Sequence, residues 1–256
     1  MSWIVNKIIN QFTFHPHNKV VLDTKDIPKF VNEEWITTKD GETLQAFYFR
    51  HYENNNYPLI IYFHGNTGNV FSHNRFEYAQ RLYEMKQNVL IVSYRGYSKS
   101  TGTPSEKGIY IDGISTAIYA KKVLGFKESD ITIIGRSLGT TVAINVAQKR
   151  NYKGLILITP LSNGKDMAAV LGFRWVNFLA NNVFKSTKKI KKVTCKKLII
   201  AGDKDKQTPL DMALKLYQAA KEPKKLIVIN GGGHNNLQYV NPQLFWGEIE
   251  AFLEEG

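Results

Sequence analysis

A serine, two aspartates and a histidine in this chain each follow an apolar run, and together they could carry out nucleophilic chemistry. Ser137 stands in "IIGRSLGTTVA", residues 133–143, where an apolar strand passes through Gly135 into the serine and a helix begins at once. Gly135 and Gly139 flank it as a sharp strand-to-helix turn requires, because a Cβ would clash where strand and helix pack this closely. A serine hydroxyl is a weak nucleophile at neutral pH and needs a base to take its proton. The base in turn needs a carboxylate that holds its tautomer and stabilises the imidazolium. "KLIIAGDKDKQTP" offers Asp203 and Asp205 after the strand ending at Ala201, and "KLIVINGGGHNN" offers His234 after the last strand, reached through three glycines. Of the six histidines, His64 and His234 lie immediately after apolar runs, whereas His15, His17, His51 and His73 read as surface or packing residues.

Acyl chemistry also needs donors for the negative charge of a tetrahedral intermediate, and losing one such donor typically costs about 10²- to 10³-fold in kcat. The Leu138 amide, at the positive end of the helix after Ser137, is one candidate. The loop "HGNTGN" supplies the second: Gly65 lets the backbone approach, Asn66 presents its amide and His64 braces the turn.

The elements that must position these groups alternate. "EWITT" and "TLQAFYFR", joined through Asp40-Gly41, read as a leading antiparallel hairpin. After it come the apolar runs "PLIIYFHG", "NVLIVSYRG", "DITIIG", "GLILITP", "KLIIAG" and "KLIVING". Helical stretches separate them, from about Phe71 to Met85, from near Pro104 to Gly125, after Ser137, and finally over Pro242 to Leu253. Continuous apolar strands with intervening helices predict an α/β fold with a mostly parallel sheet covered by helices on both faces. In such sheets, reacting groups collect at the carboxyl ends of the strands. Residues 161–195 break the rhythm, and their apolar, aromatic "MAAVLGFRWVNFLANNVF" predicts a short helical lid insertion. The resulting organisation is an N-terminal amphipathic segment over 1–29 and one catalytic domain over 30–256.

At 256 residues, 43% hydrophobic and 22% charged, the chain can bury a core without staples. Its single cysteine, Cys195, forms no intrachain disulfide, reads as a packing residue and points to a reducing, cytoplasmic setting. The formal charge of +12 includes one dense run from Lys185 to Lys197, "KSTKKIKKVTCKK", yet no zinc-finger spacing or RNA-binding aromatic motif accompanies it. A solvated basic face is therefore expected rather than nucleic-acid binding, with peripheral contact to an anionic membrane as the other reading. Ile4, Val5, Ile8, Ile9 and Phe12 line one helical face, too short to span a bilayer. Such a helix either docks on the protein or lies on a membrane surface.

With these residues in place, the chain from about Phe30 onward resembles the α/β-hydrolase superfamily. "YFHGNTGN", "VSYRGYSKSTGTPSEKG", "GRSLG", "AGDKD" and "GGGHNN" are similar to the serine hydrolases grouped with the α/β-hydrolase-domain depalmitoylases. The resemblance implies the α/β-hydrolase fold, Ser137 as nucleophile, His234 as base, and the amides of Asn66 and Leu138 as oxyanion donors. It favours Asp205 over Asp203 as the acid, because the family's acid falls three residues beyond the glycine with a proline four residues further on, as Pro209 does here.

The function these readings predict is hydrolysis of acyl esters or thioesters through an acyl-enzyme. Phe173, Trp175 and Phe178 in the insertion point to a hydrophobic acyl substrate. A peptidase of the same fold and a non-catalytic binding protein are the alternatives, and the second usually lacks a triad member. No metal, nucleotide or redox cofactor is implied: "GNTGNV" has no P-loop lysine, and the triple glycine precedes a histidine rather than opening a helix.

Overall fold

In the computed structural model, residues 10–11, 13–16, 27–54, 56–71, 75–172, 180 and 182–255 are described. The apolar stripe of Ile4, Val5, Ile8, Ile9 and Phe12, together with His17, His73, Phe173, Trp175 and Phe178, lies outside them. The chain forms two compact units, divided between Ile131 and Thr132.

In the first unit, strand β1 (Val31–Thr37) turns back into β2 (Thr43–Phe49), and both alternate or bury residues as a two-faced sheet element does. Gly41 takes φ +90° at the turn, where a side chain would be strained, and the Thr38 hydroxyl donates to Asp40. Strand β3 (Leu59–Phe63), helix α1 (Arg75–Glu84), strand β4 (Asn88–Val92) and helix α2 (Glu106–Lys122) follow. The strand order is β3-β4-β2-β1, with β3 and β4 parallel and the other two pairs antiparallel. Of the helix expected from about Phe71, the part from Arg75 lies among the described residues. Phe71 instead sits in a buried turn held by the Asn69 side chain, which accepts its amide at 2.9 Å.

The second unit opens with β5 (Ile131–Arg136) from its second residue, then α3 (Gly139–Ala147) and β6 (Gly154–Ile158). The insertion then contributes α4 (Gly164–Val170) and α5 (Ser186–Ile190). It is followed by β7 (Lys196–Gly202), α6 (Leu210–Ala219), β8 (Lys224–Ile229), α7 (Leu237–Val240) and α8 (Pro242–Glu254). The order is β8-β7-β6-β5, all parallel. Strands β3 to β7 are buried along nearly their whole length, each large aliphatic contributing about 1.5–3 kcal/mol. The last apolar run differs from expectation: β8 has a neighbour on one side, so of its six residues Ile229 alone is fully buried.

The basic run also departs from a uniformly solvated face. Lys197 is fully buried, with Nζ donating to the carbonyls of Cys195 at 2.5 Å and Val193 at 3.3 Å. Lys196 caps the end of α8 by donating to the carbonyls of Phe252 and Glu255, its ammonium lying 4.5 Å from the centroid of the Phe252 ring. Long lysine stems can line a core while their tips find carbonyls, which residue type alone does not reveal. The two arms of the insertion close on Gly164, whose amide donates to the Val183 carbonyl at 2.8 Å and where a Cβ would press on Val183.

Arg95, from the "YRG" stretch, is the buried hub of the first unit. Its guanidinium donates to Asp112 of α2 at 2.8 Å and to both oxygens of Asp40 at 2.9 and 3.0 Å, tying the hairpin turn to the helix. Gly108 lies against the Arg95 stem, where a Cβ would come within 2.5 Å. The motif therefore has an architectural explanation within its own unit.

Candidate active site

Strand β5 ends at Arg136, and Ser137 follows with φ +53°, a left-handed conformation costing a non-glycine residue about 1 kcal/mol or more. The strain is held in place by hydrogen bonds. The Ser137 amide donates to the Ile158 carbonyl at 2.9 Å, and its carbonyl accepts from the Thr140 amide and, at 2.6 Å, the Thr140 hydroxyl. Gly135 makes the turn possible: a Cβ there would meet the Gly139 carbonyl oxygen at 2.6 Å and the Thr140 Cα at 2.7 Å. Leu138 begins the helix, where amides have no intrahelical acceptor and face the positive end of the dipole.

Asp205 and Asp203 lie in the same turn after β7 but do different things. Asp203 is exposed and accepts the Gly231 amide at 2.7 Å, bracing the glycine turn. Asp205 is 5% exposed, and one of its oxygens, Oδ1, accepts the amides of Gln207 at 2.8 Å and Thr208 at 2.9 Å. Its Oδ2 accepts from the Thr208 hydroxyl at 2.8 Å and from His234 Nδ1 at 2.8 Å. Burial pushes the Asp205 carboxyl up, but the donors from His234 and Thr208 outweigh it and hold the carboxyl below its ordinary value. An ionised carboxylate accepts and never donates, so the proton of the neutral imidazole sits on Nδ1. That leaves Nε2 to accept from Ser137 Oγ at 2.9 Å.

The histidine loop is fixed from several sides. Arg136 donates to the His234 carbonyl at 3.3 Å, and the Gly233 amide donates to the Asn236 side chain at 2.7 Å. At Gly202, a Cβ would overlap the Gly232 carbonyl oxygen, far inside van der Waals contact, so the two turns meet as bare backbone. Thr208, Arg136 and Asn236 are the site residues that sequence reasoning missed. Of these, Thr208 had a signal: Asp205 and Thr208 lie three apart just before Pro209 and a helix, the spacing of a carboxylate that caps a turn.

His64 and Asn66 belong to the first unit. His64 is fully buried, its Nδ1 2.7 Å from the Gly65 carbonyl oxygen, and its own carbonyl accepts from Tyr94 at 2.9 Å. Burial, and then the nearby Arg75, keep its imidazole neutral, well below the ordinary histidine range. Asn66 holds the preceding segment: its side chain donates to the Thr13 carbonyl at 3.0 Å, and its carbonyl accepts from the His15 amide and, at 2.6 Å, the Tyr97 hydroxyl. His51 stacks on Tyr83 at 3.8 Å as a packing residue. Cys195 is buried, which raises its thiol above the ordinary value, and among the described residues no group of three His, Cys, Asp or Glu side chains could hold a metal ion.

A model of the α/β-hydrolase fold matches residues 58–182. An uncharacterised protein of Mycobacterium tuberculosis is 30% identical over 222 residues, covering 86% of this chain and 78% of that one. The bem46 protein of Schizosaccharomyces pombe is 31% identical over 212 residues, covering 77% and 70% of the two chains. The chain belongs to the α/β-hydrolase superfamily. Relatives in this superfamily include the lysophosphatidylserine lipase ABHD12 of Danio rerio, 29% identical over 73% of this chain and 54% of that protein. The fold is shared with an esterase of Pyrococcus furiosus, at a TM-score of 0.78 and 20% identity over 94% of this chain and 97% of the esterase. This hydrolase is thus similar to proteins described as a lipase and an esterase. Among its described residues, no helix is long and apolar enough to cross a membrane.

Proposed function

We propose that this hydrolase cleaves acyl esters or thioesters with Ser137 as nucleophile, His234 as general base and acid, and Asp205 as the carboxylate that orients and stabilises the imidazolium. The observation that carries the reading is the unbroken chain from Ser137 Oγ through His234 to Asp205 Oδ2, at 2.9 and 2.8 Å, anchored on a strained backbone turn. In the first step, His234 Nε2 takes the hydroxyl proton as Oγ bonds to the acyl carbon, and the Leu138 amide, at the start of α3, stabilises the oxyanion. The imidazolium then protonates the departing alcohol or thiol, leaving an acyl-serine. Water, deprotonated by the same histidine, attacks the acyl-serine and releases the acid. The ester-cleaving relatives support an ester or thioester carbonyl, and the apolar residues of the insertion support an acyl substrate.

Labelling with a fluorophosphonate probe tests the nucleophile. The wild-type chain is expected to label, and Ser137→Ala to lose both labelling and hydrolysis of p-nitrophenyl esters, by roughly 10⁴-fold or more, at an unchanged melting temperature. Near-normal turnover in the folded variant would overturn the assignment, and a chain-length series of esters then defines the acyl preference.

A further inference from the structure

The net charge is not spread over the molecule. Residues 131–202 hold thirteen Lys and Arg against a single carboxylate, Asp166, which accounts for the whole +12; the rest of the chain carries twenty-one of each sign. The segment lies almost entirely in the second unit. Its lone acid is already engaged, accepting from Lys215 at 3.1 Å and Ser162 at 2.6 Å. Four of the thirteen cations do not contribute to this surface: Arg136 serves the histidine loop, Lys196 and Lys197 turn inward, and Arg174 is outside the described residues.

Eight of the remaining nine lie on one joined surface, α5 with its flanks and the loop after α3. Helix α5 packs against α3 and α6 and carries Lys188 and Lys189, with Lys185 before it and Lys191 and Lys192 after it. The loop after α3 brings Lys149, Arg150 and Lys153, and the Thr194 hydroxyl donates to the Asn151 side chain at 3.1 Å, joining this loop to the end of the basic run. Lys188, Lys191 and Lys192 are exposed, and among the described residues no carboxylate pairs with any of these three. On the same insertion, α4 ends in Val170 and Leu171, which are 38% and 48% exposed.

We propose that this face docks on an anionic membrane surface, with the lysines of α5 and the loop after α3 over the headgroups and Val170 and Leu171 entering the interface. Charge complementarity commits the surface to an anionic partner, and its chemistry favours lipid. Compact lysine ammoniums suit a diffuse layer of negative headgroups, whereas nucleic acid is gripped by arginine forks and stacking aromatics. An exposed apolar pair on the same insertion as the lysines gains from insertion among acyl chains and nothing from a phosphate backbone. This docking stands apart from the hydrolytic reading, because it requires no turnover.

Co-sedimentation with vesicles of phosphatidylcholine alone and with phosphatidylserine admixed tests it. The full chain is expected to bind the anionic vesicles at low salt, release at high salt, and ignore the neutral ones. The triple variant Lys188→Glu, Lys191→Glu, Lys192→Glu is expected to lower anionic binding at least about tenfold. Val170→Asp with Leu171→Asp is expected to lower it several-fold. Melting temperatures confirm that both variants fold. Failure to sediment with anionic vesicles at low salt, equal binding by the folded triple variant, or tighter binding to an oligonucleotide that the Val170 and Leu171 changes leave untouched would each overturn the proposal.

Discussion

Two buried carboxylates, one in each unit, meet nitrogen partners at 2.8 Å, and they are built for different ends. Asp112 is fully buried against Arg95, a permanent cation that also grips Asp40. Asp205 is nearly as buried, but its partner His234 is an imidazole that also faces a hydroxyl. Burial pushes Asp112 up to about 6 despite Arg95, whereas around Asp205 the donors from His234 and Thr208 outweigh burial and hold the carboxyl low. The difference teaches that a close opposite charge alone does not decide how a buried acid titrates; burial and the donors on its oxygens weigh against each other in each case. Asp112 and Arg95 hold one geometry. Asp205 instead faces an imidazole, a group that can gain and lose a proton.

The sharpest way to break the comparison is to remove charge from each acid. Asp205→Asn is expected to lower kcat by about 10⁴-fold with little change in melting temperature, because an amide can hold the wrong imidazole tautomer. Steady-state ester hydrolysis measures this; a loss below tenfold would mean that His234 is oriented by something else. On the other side, Arg95→Met leaves Asp112 buried without its cation and is expected to cost about 3–5 kcal/mol in denaturant unfolding, with activity per folded molecule preserved. Adding Asp112→Leu to Arg95→Met should recover much of that loss, since an apolar pair of similar volume replaces a broken ionic one. No recovery would show that the contact with Asp40 carries the effect. The smallest effect is expected from Asp203→Asn, within about threefold in kcat, since an amide oxygen can still accept the Gly231 amide. If this variant instead matches Asp205→Asn, the division of labour between the two aspartates is reversed.

Much of the site was legible because its local demands are written in short stretches. A glycine two residues before Ser137, an apolar run before it and a helix after it leave few backbone paths, and the close approach at Gly135 is that constraint in atoms. His234 stood out by following the last apolar run through glycines. Asp203 and Asp205 could not be separated by position alone, because both follow the same strand; a backbone turn decides which one points inward. Arg136 escaped notice because its partner lies 98 residues away, whereas Thr208 was missed although its partner Asp205 lies only three residues before it. Lys196 and Lys197 were misleading for a related reason: a lysine bound to main-chain carbonyls looks, in sequence, like any solvated one. In the fold, the alternation of strands and helices was legible from apolar runs, while the exposure of β8 depended on its place at the end of the strand order, which no local pattern encodes.

The contact between Gly202 and Gly232 has a consequence for how such a protein can change over generations. The spacing of Asp205 and His234 depends on two stretches of main chain that touch with no side chain between them. Lys204, Lys206 and Gln207, in the same turn, are exposed. A lineage can therefore rewrite the outside of this turn, exchanging those three residues for other charges or shapes, without altering the distance between Asp205 and His234. A Cβ at position 202 or 232 would instead disturb that distance directly. Variation and constraint thus sit side by side in one turn, and new substrates could be explored at its edge while the chemistry beneath is inherited unchanged.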